Sequence, residues 1–310
     1  MPNHRVTVVG SFAVGLCLRS ERFPVSGETV LGRDFDEGPG GKGSNQAVQV
    51  ARARTGVEFE GVVGTDAYGD LGARLFADEG VGTRHLKRTA DRNTGVGFIL
   101  LDAAGDNRIV LDPGANALFS PDDVAAARAT IATGGVVLTQ LEIPEATASA
   151  ALRVGRDSGV TTLLNPAPVR PLPPEVLALA DVLTPNQTEA RVLLGLAPDD
   201  AAHDLDICAR LLDLGVATVV LTRGADGAVI ATSEGTAAVP APAVEVVDST
   251  GAGDAFSGTL AAELSAGRGL EDAVQRAVCA GALACTRLGV IPSLPRADEL
   301  DRFMSTGAPT

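Results

Sequence analysis

The chain has 310 residues, and 39 Asp and Glu against 25 Lys and Arg leave a formal charge of −14 at pH 7. No Lys/Arg-rich run interrupts that acidity, which excludes a surface able to displace the counterions of a nucleic acid. With 45% hydrophobic and 21% charged residues the composition is globular, and no apolar run reaches the roughly 18 residues of a membrane span.

The length fits two domains of about 150 residues or one large α/β domain, and the expectation here is a single domain over 1–310. In chain order, Val6–Val9 reads as a buried strand, followed by a Gly10-Ser11 turn and a second strand. Arg5 ahead of VTVVGSFAVGLCL imitates a signal peptide, but Arg19-Ser20-Glu21-Arg22 follows where small cleavage residues belong. Short Val/Leu-rich runs recur at Phe59–Val63, Gly135–Leu138, Val160–Leu164, Val182–Leu183 and Thr218–Leu221, as in strands buried on both faces. Helical spacing lies between them, at Gly43–Ala53, Asp66–Asp78, Pro121–Ala132, Pro144–Arg156, Asn186–Leu194 and Asp204–Leu212. That alternation predicts a three-layer α/β/α domain around a mainly parallel sheet. Residues 12–38 and 94–112 break it. They carry strand-like Glu28–Leu31, Gly95–Leu101 and Arg108–Leu111 without helices, and predict a small β-sheet lid over a cleft.

His4, His85 and His203 are too scattered for a multi-His metal site. Cys17, Cys208, Cys279 and Cys285 form no CxxC pair, so a reducing cytoplasm is the simplest location. The densest glycine cluster, Gly38-Pro39-Gly40-Gly41-Lys42-Gly43-Ser44-Asn45-Gln46, opens a helix and lets backbone approach a ligand. It is not a Walker A loop, because Gly43 stands where that motif needs Ser or Thr. A second cluster, Asp248-Ser249-Thr250-Gly251-Ala252-Gly253-Asp254, follows the β-rich Val244–Val247 and leads into a helix. Helix N–H groups beside Asp254 could stabilise a transferring phosphoryl group while the carboxylate accepts a proton; the plainer reading is a first-turn Asp complementing the dipole. Asn186 and Glu189 could hold the water shell of Mg2+ or form a simple capping box. Thr222-Arg223-Gly224-Ala225-Asp226-Gly227 alone is only a turn between strands.

Taken together, GGKGSNQA at 40–47, TPNQTEA at 184–190, TRGADG at 222–227, DSTGAGDAF at 248–256 and RLGVIPS at 287–293 resemble the signature set of the ribokinase-like (phosphofructokinase-B type) carbohydrate kinases. The ribokinase branch is the nearest, on GETVLG at 27–32, DPGAN at 112–116, QLE at 140–142 and NPAP at 165–168. The resemblance implies ATP-dependent phosphorylation of a sugar's primary hydroxyl. Asp254 would be the base and Gly251, Ala252 and Gly253 the anion hole. Ser11, Ala13, Gly40, Gly41, Lys42, Gly43, Asn45 and Glu142 would occupy sugar-binding positions. Asn186, Thr222, Gly224, Gly227 and Gly253 would line the nucleotide site, and Asn186 with Glu189 would organise Mg2+. Asp248, Thr250, Ala284, Arg287, Gly289 and Ser293 would hold a K+ ion, and the lid would join a homodimer.

One departure bears on the acceptor. Ribokinases carry Gly-Ser-x-Asn-x-Asp after the first strand, whereas this chain reads Gly10-Ser11-Phe12-Ala13-Val14-Gly15, without either polar ligand. Ribose or a related pentose is the default acceptor; another sugar, a polyol or a nucleoside stays open, as does a non-catalytic sugar- or nucleotide-binding relative. Asp112 could replace a lost contact. Val278 stands where the family often has His near the adenine. A dinucleotide oxidoreductase is disfavoured, since no GxGxxG opens the first βα unit.

Overall fold

The computed structural model describes residues 5–307; residues 1–4 and 308–310, the ends of the expected 1–310 domain, lie outside the described residues. Thirteen strands are described: β1 Arg5–Val9, β2 Ala13–Ser20, β3 Gly32–Gly40, β4 Gly56–Gly64, β5 Gly82–Thr89, β6 Gly95–Leu101, β7 Asn107–Asp112, β8 Val136–Thr139, β9 Thr161–Leu164, β10 Val182–Leu183, β11 Thr218–Thr222, β12 Ala228–Thr232 and β13 Gly235–Val239. Nine of them form one sheet in the order β13-β12-β11-β10-β9-β8-β1-β4-β5. It is parallel from β5 to β11 and closes with the antiparallel pairs β11–β12 and β12–β13.

Alternate strand residues feed two cores, which is why the strands read as unbroken apolar runs. Val9, Val137, Leu164 and Leu183 face the helices Glu145–Asp157 and Asp204–Asp213. Val6, Val8, Phe59, Leu138 and Leu163 face the opposite layer, with Ala47 and Val50 of helix Lys42–Arg52, Phe256 and Leu260 of helix Ala252–Ser265, and Val274 and Ala277 of helix Leu270–Ala284. In this layer Phe76 meets Phe12 edge-on, with ring centroids 5.9 Å apart, and Phe59 at a tilt, 4.5 Å apart. The result is the expected α/β/α arrangement.

A second, four-stranded sheet has the order β3-β2-β6-β7. Two antiparallel pairs, β2–β3 and β6–β7, are joined by parallel pairing of β2 with β6. Asn116 fastens it to the main body: its Oδ1 accepts from Phe12 N at 3.1 Å and its Nδ2 donates to the Phe12 carbonyl at 2.7 Å.

Several expected elements differ. Glu28–Leu31 is not a strand: Glu28 N donates to the Val25 carbonyl at 3.0 Å and its carboxylate accepts from Val25 N and Arg22, which closes a turn. Gly38–Gly40, in the cluster expected to open a helix, is the end of β3 and runs almost directly into the helix at Lys42. Val244–Val247 forms no strand, and Val247 N donates instead to the Cys285 carbonyl at 2.8 Å. The helix expected over 121–132 is divided into Pro121–Ala126 and Arg128–Ala132.

Candidate active site

Ser11 follows β1, Glu142 follows β8, Asn186 and Glu189 follow β10 and Gly224 follows β11, at the carboxyl ends of strands, where open α/β sheets bind ligands. Gly10-Ser11 leaves β1 and meets the start of helix Lys42–Arg52. Gly41, at φ 89°, is a conformation that favours glycine. A Cβ on Gly43 would lie 2.5 Å from Ser11 N and 2.7 Å from Gly10 Cα, so the two loops touch backbone to backbone. Glu142, just beyond β8, locks them together: its Oε2 accepts from Ser11 Oγ at 2.6 Å and from Lys42 N at 2.8 Å.

Asp254 lies in the first turn of helix Ala252–Ser265 and is 5% exposed. Asn45 Nδ2 donates to its Oδ2 at 2.8 Å, and Gln46 Nε2 donates to its Oδ1 at 2.9 Å. Burial pushes the carboxyl above its ordinary range, against the pull of Lys42 and of those two donors. The Lys42 ammonium is opposed by burial but lies among Asp254, Glu142 and Glu189, which together raise its pKa and keep it charged. Asn45 Oδ1 is buried without a protein partner among the described residues.

The helix holding Asp254 is entered through Gly251 at φ 85°, and no side chain caps it. A Cβ on Gly253 would meet nothing within 4 Å, so a ligand can approach that backbone closely. Ala252 N bonds the Ser249 carbonyl at 3.2 Å and is partly engaged in the turn. Thr222 N donates to the Pro185 carbonyl at 2.9 Å, and Thr222 pairs with Asn186, so the 184–190 and 222–227 segments lie side by side. Asn186 and Glu189 form the complete capping box, each side chain bonding the other's backbone N–H at 2.8 Å. Burial, ahead of the other influences, raises the Glu189 carboxyl. Gly224 has open space on its side-chain face, whereas a Cβ on Gly227 would strike the Val239 carbonyl at 2.1 Å; Gly227 is therefore required by the hairpin itself.

Among the described residues no cluster of three or more His, Cys, Asp or Glu side chains converges to cage a metal. The Asn186/Glu189 pair fits Mg2+ only as a partner of its water shell, the usual mode for an ion that keeps several waters. Asp248 accepts from Thr250 N at 2.9 Å and from Gly289 N at 3.1 Å, which joins the 248–250 and 287–293 loops. Burial opposes its charge, but these donors and Arg19 carry its carboxyl below the usual range. The Ala284 carbonyl accepts from Arg287 N at 3.4 Å, and buried Ser293 donates to the Val290 carbonyl at 2.8 Å. A carboxylate, carbonyls and a hydroxyl are the hard oxygen donors that a K+ ion takes.

Ala13 and Gly15 stand in register with Gly40 and Gly38 on one side and with Gly95 and Gly97 on the other, so the base of the small sheet presents two rows of minimal side chains. Asp112 accepts from Gly114 N at 2.9 Å. Val278 is buried in the core beside Phe256. Sequence reasoning assigned no role to Gln46, Gln140 or Asn165, which stand behind Asp254 as a chain of buried amides. The only signals were their positions inside GGKGSNQA, QLE and NPAP.

A family described as pfkB family carbohydrate kinase matches residues 3–297. The ribokinase of Haemophilus influenzae is 33% identical over 299 residues, covering 96% of this chain and 98% of that protein. The deoxyribokinase of Salmonella typhi is 32% identical over 301 residues, covering 97% and 98%. The solved structure of Arabidopsis thaliana ribokinase complexed with ribose and ATP has a TM-score of 0.91 at 30% identity, over 98% of this chain and 99% of that one.

Proposed function

The chain belongs to the pfkB family of carbohydrate kinases and is an ATP-dependent sugar kinase; from that premise we propose that it phosphorylates the primary hydroxyl of a pentose, ribose by default, with Asp254 as the base. The observation that carries this reading is the buried Asp254 carboxylate at a helix N-terminus, held by Asn45 and Gln46 beside Lys42. Asp254 takes the proton of the acceptor hydroxyl as that oxygen attacks the γ-phosphorus. The bond from phosphorus to the β–γ bridging oxygen breaks, and ADP leaves. Backbone N–H groups of Gly251, Ala252 and Gly253 face the charge that develops on the equatorial oxygens. Thr222 and Gly224 line the nucleotide site, with Gly227 setting the hairpin that carries them. Ser11, Gly40, Gly41, Lys42, Gly43, Asn45 and Glu142 surround the sugar, and the small sheet serves as the lid.

Bound Mg2+ supplies charge neutralisation to the triphosphate, with Asn186 and Glu189 as partners of its water shell. Asp248, Thr250, Ala284, Arg287, Gly289 and Ser293 would hold a K+ ion, which would supply a fixed positive charge to the site. Four free cysteines fit a reducing cytoplasm; among the described residues no helix is long and apolar enough to cross a membrane.

A second acceptor reading rests on Ala13 and Gly15. Without polar groups there, a deoxypentose or a bulkier sugar or nucleoside loses little relative to ribose. The test is a coupled ADP-release assay with Mg-ATP and K+ across ribose, deoxyribose, hexoses, polyols and nucleosides. Turnover on ribose, lowered about 10²- to 10⁴-fold in Asp254→Asn, is expected. Turnover confined to another acceptor would replace ribose, and an Asp254→Asn variant as active as the parent would overturn the assignment of the base.

A further inference from the structure

The Asp254 carboxylate is held by an amide whose own orientation is fixed from both ends. Gln46 Nε2 donates to Asp254 Oδ1 at 2.9 Å and to Asn165 Oδ1 at 3.0 Å, while Gln46 Oε1 accepts from Gln140 Nε2 at 2.5 Å. Asn165 Nδ2 passes the chain on to the Thr184 carbonyl at 3.1 Å, at the foot of the segment bearing Asn186 and Glu189. Gln46 and Gln140 are wholly buried, so neither touches a ligand in the cleft.

We propose that Gln46 is a positioning residue for phosphoryl transfer, one that orients the Asp254 carboxylate and keeps it ionised by giving it a donor that neither solvent nor substrate can replace. The inference rests on the reading of Asp254 as the base.

The charges facing Asp254 come from Lys42 on helix Lys42–Arg52, Glu142 beyond β8 and Glu189 on helix Gln187–Leu193. One cation is set against two other carboxylates, so this field does not by itself hold a third buried anion. Two amide donors carry the remainder. The Asn45 donor belongs to a residue at the expected sugar positions, whose other amide atom is buried without a partner among the described residues. The Gln46 donor is committed. A side chain that only filled space between the sheet and helix Ala252–Ser265 would be replaceable by an apolar one at a cost in stability alone.

The test compares Gln46→Glu, Gln46→Leu and Gln46→Met with the parent and Asp254→Asn, using Mg-ATP and whichever acceptor the parent turns over. Full pH–rate profiles are recorded alongside thermal melts. In Gln46→Leu and Gln46→Met, kcat at neutral pH falls about ten- to a hundred-fold and the acid limb moves up by about one to two pH units, the worth of one hydrogen bond to a charged group. Both KM values stay within about threefold, because the lost interaction touches no substrate. Gln46→Glu, which sets a carboxylate against Asp254, moves the limb further. If Gln46→Glu does not fold, the two neutral variants decide. Acid limbs that stay within about 0.3 unit of the parent while Asp254→Asn is inactive would refute the role of Gln46 alone. An active Asp254→Asn would refute the base and this inference together.

Discussion

Glu60 offers a quantitative test of the packing beneath the site. It lies on β4, is 1% exposed, and neither carboxylate oxygen has a hydrogen-bond partner among the described residues. Burial first, and the neighbouring Glu58 second, push its pKa from 4.5 up to about 8. In the unfolded chain the group ionises near its ordinary value, so below that pH both states hold the proton and nothing is lost. Between the two values the unfolded state is ionised and the folded state is not, and stability falls by about 1.4 kcal/mol for each pH unit. Above the folded value the loss is complete. Glu60→Gln removes this slope, and any constant effect of the new amide cancels when two pH values are compared. Urea unfolding at pH 5.5 and 8.5 should therefore show the variant gaining about 3 kcal/mol on the parent from the lower to the higher pH. The β4 backbone also receives Gly10 N on the Glu60 carbonyl at 3.0 Å, so the strand supports the Ser11 loop directly. Parallel behaviour of variant and parent across the two pH values would refute the reasoning.

The backbone contact at Gly43 predicts that Gly43→Ala forces the Ser11 and Lys42 loops apart, costing about 1–3 kcal/mol of stability and raising the sugar KM; an unchanged melt and KM would contradict the packing. Gly253→Ala, with open space around it, should instead leave the melt unchanged and lower kcat. Phe35, Phe98 and Val110, at 63%, 55% and 70% exposed, leave an apolar face on the small sheet that a second copy of the chain would cover. Light scattering at micromolar concentration should report a dimer, and Phe98→Asp a monomer; a monomeric parent would remove the lid interface. Asp248→Ala should abolish activation by K+ while leaving residual turnover with Mg-ATP, and activation that persists would place the cation elsewhere.

The strands buried on both faces were legible because each is a Val/Leu run that the environment does not contradict. The edge strand β5 was not. Its Arg84, His85, Lys87 and Arg88 suit a sheet edge, where charge deters further pairing, and carry no apolar pattern. Glu28–Leu31 misled in the opposite sense, because Thr29 and Val30 favour strands while the Arg22–Glu28 ion pair closes a turn immediately before them and no strand pairs with them. The place of Asp254 in a first helical turn was legible from the glycines that precede it and the helix that follows. Gln46 acquires its role only from partners 119 and 208 residues away, Asn165 and Asp254, and amide pairing over such separations leaves no spacing to read. Asn186 and Glu189 realise the plain capping box, so their local geometry is accounted for without any ion.

Asp254, the proposed base, and its amide support lie on the main sheet and the helix layer packed against it, whereas Ala13 and Gly15, where polar sugar ligands were expected, belong to the small sheet. Their separation makes acceptor choice alterable without disturbing the chemistry. At Gly15 an added Cβ would meet only Ile99 Cδ1 at 3.7 Å and the Gly38 carbonyl at 3.8 Å, both ordinary contacts, and the backbone there is not left-handed. The position therefore accepts a side chain. Gly15→Asp with Ala13→Asn should restore hydrogen bonds to sugar hydroxyls and lower the ribose KM by about tenfold or more, since a hydrogen bond to a charged group is worth about 1.5–3 kcal/mol. Steady-state kinetics on ribose and deoxyribose reads the outcome. If the double variant folds and its preference between the two sugars does not move, the acceptor is held elsewhere and these two positions are not what sets it.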